Sequence, residues 1–122
     1  MKRLIVFIAA AACLAGLSLG AAPKPVTVNA WVLDSACAFT KGLKKPISAD
    51  CAIACAKAGS PLGLLDDKGN LYLPVSDAMP AVSQNERLLP FAGQRVTVTG
   101  KLFLQNGSRA IVIDTIKAEA KK

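Results

Sequence analysis

Apolar and polar residues alternate along several stretches of the chain, and such alternation is typical of half-buried β-strands. In the first stretch, VTVNAWVLD, the side chains of Val26, Val28, Ala30 and Val32 share one face because successive residues of a strand point to opposite sides. The same alternation, with its many branched residues, predicts five strands in all, at residues 26–34, 62–67, 70–75, 94–104 and 109–117.

Turn-forming residues separate these strands. The run from Asp66 to Asn70 joins the second strand to the third and consists of residues that favour turns. Asn106 and Gly107 join the fourth strand to the fifth, and this pair favours a tight hairpin because both residues tolerate a positive φ. Gly100 lies inside the fourth strand, where a glycine is typical of a β-bulge or a sharp bend. The pattern therefore predicts two hairpins, the second of them bent.

One helix is predicted between the first two strands, at residues 49–58. Ser48 is a suitable N-cap, and Asp50 lies in the first turn, where the helix dipole favours a negative charge. Gly59 is a suitable C-terminal cap, and Pro61 prevents the helix from continuing.

The order of these elements matches an OB-fold, a five-stranded Greek-key barrel. We predict a mainly β domain of this kind, with a cysteine-bearing helical insertion between strands 1 and 2. The rest of the insertion, SACAFTKGLKKP, is predicted to be irregular, and one helical turn is predicted at residues 85–89 before the fourth strand. A curled open sheet with the helix capping one end is the alternative architecture. No internal repeat or second domain is expected.

The N-terminus has the pattern of a secretory signal peptide. Lys2 and Arg3 precede an apolar run at residues 4–19, which is too short for a typical membrane span. Cleavage is expected after Gly20, with Ala22 as the alternative, and lipidation at Cys13 is a further alternative. We therefore divide the chain into a signal peptide at 1–20, a linker at 21–25, the OB-fold-like domain at 26–117 and a flexible tail at 118–122, and expect a periplasmic or secreted bacterial protein.

Charge narrows the range of partners only slightly. The formal net charge is +7, and two of the basic residues, Lys2 and Arg3, leave with the signal peptide. Lys41, Lys44 and Lys45 form a local cluster, which is either a solvated surface or a contact for an anion or a membrane surface. Because the protein is expected to be exported, no nucleic-acid partner is expected, and the mature chain is expected to lack a stable membrane span.

Three cysteines, Cys37, Cys51 and Cys55, remain after removal of the signal peptide, and the chain has no histidine. In an oxidising compartment one pair can form a disulfide. Residues four apart on a helix have Cβ atoms about 5–6 Å apart, whereas a disulfide needs about 3.5–4.5 Å. A disulfide is therefore expected to include Cys37, bonded to either of the two helical cysteines.

The same spacing also predicts a metal site. Cys51 and Cys55 lie one turn apart on the same face of the predicted helix, so both sulfurs can point to one ion, and Cys37 can complete a set of three. Thiolates are soft ligands that select copper(I), zinc or another thiophilic ion. Thiol exchange is a third interpretation, although the pair is not the C-x-x-C of thioredoxin-like enzymes.

Other candidate groups have simpler interpretations. Asp34 and Ser35 are expected to cap or turn the chain at the end of the first strand. Asp66 and Asp67 lie in a turn and lack the spacing of a calcium loop. The aromatic residues of three strands are expected to pack in the core or at the barrel end, and the alternative is a ligand-stacking surface. These residues are Trp31, Tyr72 and Phe103.

Three segments of the chain resemble a group of small exported bacterial proteins with an OB-like fold. The pattern is D-S-x-C after the first strand, a later C-x-x-x-C followed by a glycine, and a G-x-x-V-x-V-x-G strand. The residues that match it are Asp34-Ser35-Ala36-Cys37, then Cys51, Cys55 and Gly59, then Gly93, Val96, Val98 and Gly100. The resemblance covers nearly the whole mature chain. It implies the fold and export, and it implies no reaction.

These observations predict a non-catalytic exported binding module rather than an enzyme, because the usual catalytic base, histidine, is absent. Cys37, Cys51 and Cys55 are expected to bind a thiophilic metal, copper or zinc, or the thiol of a protein partner. The alternative is a disulfide-stapled interaction or structural protein that binds a peptide, a saccharide or a protein through the barrel surface.

Overall fold

The computed structural model describes residues 22–42 and 47–120. The predicted signal peptide, Lys44 and Lys45 therefore lie outside the described residues. The strands are β1 Lys24–Asp34, β2 Leu62–Asp66, β3 Leu71–Pro74, β4 Arg95–Gln105 and β5 Ser108–Ala118. The helices are α1 Ser35–Thr40, α2 Ala49–Lys57 and α3 Asn85–Leu88, the last followed by a 3₁₀ turn at Leu89–Phe91. No helix among the described residues is long and apolar enough to cross a bilayer.

The five strands form a closed barrel in the order β1-β2-β3-β5-β4. Strand β1 closes it, because its first half pairs with β4 from Lys24 to Trp31 and its second half pairs with β2 from Ala30 to Asp34. All neighbouring pairs are antiparallel except β3 and β5, which are parallel. The predicted mainly β barrel is confirmed, with the cysteine-bearing helices between β1 and β2, and the alternative open sheet is wrong.

The core fills the barrel with aliphatic side chains from alternate strand positions. Val28, Ala30 and Val32 of β1 are buried, as the alternation predicts. Leu88 of α3 is fully buried and packs into the same core. The other buried residues of this core are Ala52, Ala56, Leu62, Leu64, Ala92, Val96, Val98, Ile111 and Ile113.

Helix α2 packs against the barrel through its alanines. Ala52 and Ala56 are buried one turn apart, and small side chains at these positions let the helix lie close to the strands. Cys51 and Cys55 each precede one of these alanines by one residue, so they lie beside the buried face rather than on it. The packing of the alanines therefore fixes the direction in which the two cysteines point.

The bend and the second hairpin are where the glycines predict them. The β4–β5 register shifts between Thr99 and Gly100, and a Cβ on Gly100 would collide with the carbonyl oxygen of Val112. Asn106 and Gly107 both have positive φ, at 48° and 80°, as a tight turn of this hand requires.

The prediction that the segment after β1 is irregular is wrong for its first half, because Ser35–Thr40 form helix α1. The Asp34 side chain accepts a hydrogen bond from the Cys37 N–H, which satisfies a free donor of the first turn. Strand β1 thus passes directly into a helix of only six residues, too short to show a helical repeat in the sequence. The other element boundaries lie within two residues of the predicted ones.

Gly93 leaves room for the first residue of α2. Its φ is +74°, and a Cβ at this position would lie 2.6 Å from the Cα of Ala49, the first residue of the helix. Its N–H donates to the Val32 carbonyl at 2.8 Å. The missing side chain therefore lets the helix begin directly against the barrel wall.

Replacement of Gly93 by alanine should destabilise the protein more than the same change at Gly69. Both residues have positive φ, which costs alanine about 1–2 kcal/mol. Gly69 has open space around it, whereas the new methyl group at residue 93 collides with Ala49 and adds about 1–3 kcal/mol of overpacking. Urea unfolding of Gly93→Ala and of the control Gly69→Ala measures the difference. Equal free energies of unfolding would contradict this account of the contact.

Candidate metal centre

Two helix N-termini hold the cysteines. Cys37 is the third residue of α1, and its N–H donates to the Asp34 carboxylate at 2.7 Å. Cys51 is the third residue of α2, and its N–H donates to the Ser48 hydroxyl at 3.2 Å. Each cap thus fixes the backbone of a cysteine three residues further along. Cys55 follows Cys51 by one helical turn and completes the group.

The three sulfur atoms converge. All of them lie within 4.8 Å of one another, and the Sγ atoms of Cys37 and Cys51 are 3.7 Å apart. A disulfide bond is about 2.05 Å long, so no pair is at bonding distance. Two thiolates bound to the same zinc ion at about 2.3 Å are about 3.8 Å apart in a tetrahedral site. The spacing of Cys37, Cys51 and Cys55, here called the sulfur cluster, therefore allows the three residues to hold one metal ion.

The sulfur cluster lies at the surface. Cys51 is exposed, while Cys37 and Cys55 are half-buried. A cleft of about 210 Å³ opens beside it between α1 and α2. Its lining includes Leu33, Asp34, Cys37, Lys41, Ile47 and Cys51. An ion or a partner can therefore reach the sulfurs without opening the barrel.

Asp34 is a buried carboxylate at the edge of the sulfur cluster, with only 2 % of its surface exposed. One oxygen, Oδ2, accepts from the Cys37 N–H, and the other, Oδ1, is buried without a hydrogen-bond partner among the residues that the structure describes. Burial by itself would raise the pKa of Asp34, but the nearby Ser60 hydroxyl and the Cys37 N–H favour the charged form and hold the pKa below its ordinary value. The Ser60 hydroxyl is close enough to favour the charged carboxylate, but it makes no hydrogen bond to Oδ1.

The surroundings of the sulfur cluster favour neutral thiols. Hydrogen bonding with Cys51 and with Asp34 raises the pKa of the Cys37 thiol to about 12. Burial, followed by the negative charge of Asp34, raises the pKa of Cys55. Deprotonation would add negative charge beside a carboxylate, so a bound cation is the natural means of stabilising thiolates here.

Comparisons with known proteins supply no function to carry over, since no family model, curated protein or solved structure matches the chain. The assignment of a function therefore rests on the chemistry of the sulfur cluster and its surroundings.

The other candidate groups have structural roles. Asp34 caps α1 as expected, and Ser35 donates its hydroxyl to the Pro61 carbonyl at 2.6 Å. Asp66 accepts hydrogen bonds from backbone groups of its turn. Asp67 is paired with Arg95.

The aromatic residues Trp31, Tyr72 and Phe103 are half-buried. Tyr72 packs against the core, and its hydroxyl donates to Asp66 at 3.1 Å. Its hydroxyl is therefore committed to the turn of the first hairpin.

Sequence reasoning found the three cysteines and the capping role of Asp34, but it did not predict that the second carboxylate oxygen is buried. The local signal is the D-S-x-C motif, in which a capping carboxylate uses one oxygen for the helix and leaves the other over. The burial of this oxygen depends on the barrel and on the surroundings of Ser60, which are distant in the sequence. No local sequence pattern therefore predicts it.

Native Cys37 should react slowly with iodoacetamide in the reduced, metal-free protein. Its pKa of about 12, compared with an ordinary 9.0, leaves little thiolate near neutral pH, and the thiolate is the nucleophile. At about pH 8 we expect labelling at least about tenfold slower than for the same residue in urea. Mass-spectrometric mapping of the labelled residue is the measurement. Equal rates in the native and unfolded chains would contradict the shift.

Proposed function

We propose that the chain is a non-catalytic, exported binding module in which Cys37, Cys51 and Cys55 bind one thiophilic metal ion, copper(I) or zinc. The observation that carries the proposal is the convergence of three sulfurs from two helices within 4.8 Å. Thiolates are the ligands that these ions prefer, and the two helix caps fix the sulfur-bearing backbones before the ion arrives.

Binding rather than catalysis is favoured by what surrounds the sulfurs. The chain has no histidine to act as a general base. The raised pKa values of Cys37 and Cys55 also disfavour reactive thiolates, which thiol chemistry requires. Exposure of Cys51 at the cleft supports delivery of the ion by a protein partner, whose own thiol can approach from this side.

Export is the second part of the proposal, and its support comes from the N-terminal sequence. A basic start, an apolar run and small residues before residue 21 are typical of a cleaved leader. Cleavage after Gly20 leaves Cys37, Cys51 and Cys55 as the cysteines of the mature chain. In a periplasmic or secreted setting, such a module would capture or transfer a thiophilic ion.

A second candidate function is a disulfide-stapled interaction protein, and one observation favours it. Cys37 and Cys51 lie on different helices with their sulfurs 3.7 Å apart, so small movements would bring them to bonding distance. The bond would close a loop of about 15 residues, worth about 3 kcal/mol in the loop-entropy model. Cys55 would remain as a free thiol, and the barrel surface would then bind a peptide, a saccharide or a protein.

Thiol counting on the purified exported protein distinguishes the two functions. The metal-binding proposal predicts that Cys37, Cys51 and Cys55 are all modified by a thiol reagent in urea under anaerobic conditions without added reductant, and that copper(I) or zinc added to the native protein protects all three. Each Cys→Ser variant should lower metal affinity by at least about a hundredfold, because one ligand of three is lost.

Ala54→Ser is the matched control, because it adds a serine to the exposed side of α2 between the two helical cysteines and removes no sulfur. Its metal affinity should equal that of the native protein. A single reactive thiol in the unfolded, unreduced protein, with no metal retained, would contradict metal binding and support the staple.

A further inference from the structure

The carboxylate of Asp34 has an uncommitted oxygen beside the sulfur cluster. Oδ2 accepts a hydrogen bond from the Cys37 amide at 2.7 Å, while Oδ1 is buried and has no hydrogen-bond partner in the described part of the chain. Among the described residues, no cationic side chain forms an ion pair with Asp34. Among these residues, a carboxylate that is 2 % exposed thus keeps one oxygen, Oδ1, with neither an ion pair nor a hydrogen bond.

Such an arrangement is unfavourable unless something else compensates it. Buried charges in folded proteins are normally paired or coordinate a metal, because an unpaired polar atom in the interior is unfavourable and a charged one more so. The Cys37 amide and the nearby Ser60 hydroxyl stabilise the charged carboxylate, but neither forms a hydrogen bond with Oδ1. The uncommitted oxygen therefore points to a cation.

The position of Asp34 relative to the sulfurs suggests which cation. The carboxylate accepts a hydrogen bond from the Cys37 amide and lines the same cleft as Cys37 and Cys51. Three sulfurs also leave a tetrahedral ion with one free coordination position.

We propose that Asp34 Oδ1 is the fourth ligand of the site, and that the site therefore takes a divalent thiophilic ion of the zinc class in preference to copper(I). This inference rests on the proposed function, since it requires that the sulfur cluster binds metal. The group within 4.8 Å contains the sulfurs alone, so coordination by Oδ1 requires the carboxylate to move toward them when the ion binds.

Both coordination chemistry and charge support the preference for zinc over copper(I). Zinc accepts a carboxylate oxygen at about 2.0–2.2 Å together with thiolates at about 2.3 Å, whereas copper(I) is satisfied by soft sulfur ligands alone. Three thiolates and one carboxylate carry four negative charges. A divalent ion neutralises two of them and a monovalent ion only one, and residual charge is costly in a half-buried site.

Asp34→Asn is the decisive variant. Asparagine is about as good an N-cap as aspartate, so the hydrogen bond to the Cys37 amide is kept while the charge and the carboxylate ligand are lost. Asp50→Asn is the matched control, because it removes an exposed carboxylate next to Cys51. Asp34→Ser is a second capping variant without a carboxylate, to be used where Asp34→Asn folds poorly by circular dichroism.

Two probes report on the site. Cobalt(II), a spectroscopic substitute for zinc, gives visible bands that depend on the ligand set, and chelator competition gives the affinities for zinc and copper(I). We expect Asp34→Asn to alter the cobalt bands and to lower zinc affinity by at least about tenfold while leaving copper(I) affinity within about threefold. Asp50→Asn should change neither the bands nor the ratio of affinities.

The results separate this inference from the proposed function. Cobalt bands and zinc affinity that are the same in the native protein and in Asp34→Asn would overturn the role of Asp34 and leave metal binding intact. Native protein that binds copper(I) through its three thiols but binds neither zinc nor cobalt would also overturn the role of Asp34 and leave metal binding intact. Native protein that binds none of the three ions would overturn both proposals.

Discussion

The hydrogen bond from the Cys37 amide to the Asp34 carboxylate joins the barrel to the sulfur cluster. Asp34 is both the last residue of β1 and the N-cap of α1, so the position of Cys37 follows from the position of a barrel strand. The Ser48 cap does the same for Cys51 at the start of α2. Because each cap lies three residues before its cysteine, local backbone chemistry holds the two sulfur-bearing backbones in place before any ligand binds.

The barrel supplies the rigid surface on which this arrangement depends. Strand β1 pairs with β4 along one half and with β2 along the other, so the strand that carries Asp34 is fixed on both sides. Ala52 and Ala56 seat α2 on the barrel, and Gly93 leaves room for the first residue of that helix. The core therefore fixes the direction of Cys51 and Cys55, while the absence of bulky side chains lets the helix lie close enough for their sulfurs to approach Cys37.

Much of the fold could be predicted from the sequence, because its signals are local. Alternation in β1, the Asn106-Gly107 turn and the bend at Gly100 each depend on neighbouring residues, and Ser48 and Gly59 mark the ends of α2. Helix α1 could not be predicted, because six residues are too few for a repeat and its cap is the last residue of a strand. The approach of Cys37 to the other two sulfurs, and the buried oxygen of Asp34, depend on packing between distant segments that no local pattern encodes.

The central claim is that three sulfurs bind one ion, and X-ray absorption at the metal edge of the zinc-loaded protein tests it most directly. The number and distance of the sulfur neighbours can be read from the fine structure without any substitution in the chain. The account predicts three sulfur neighbours at about 2.3 Å, with a fourth, lighter neighbour at about 2.0–2.2 Å. Two sulfurs or fewer, or a shell of oxygen and nitrogen alone, would contradict it.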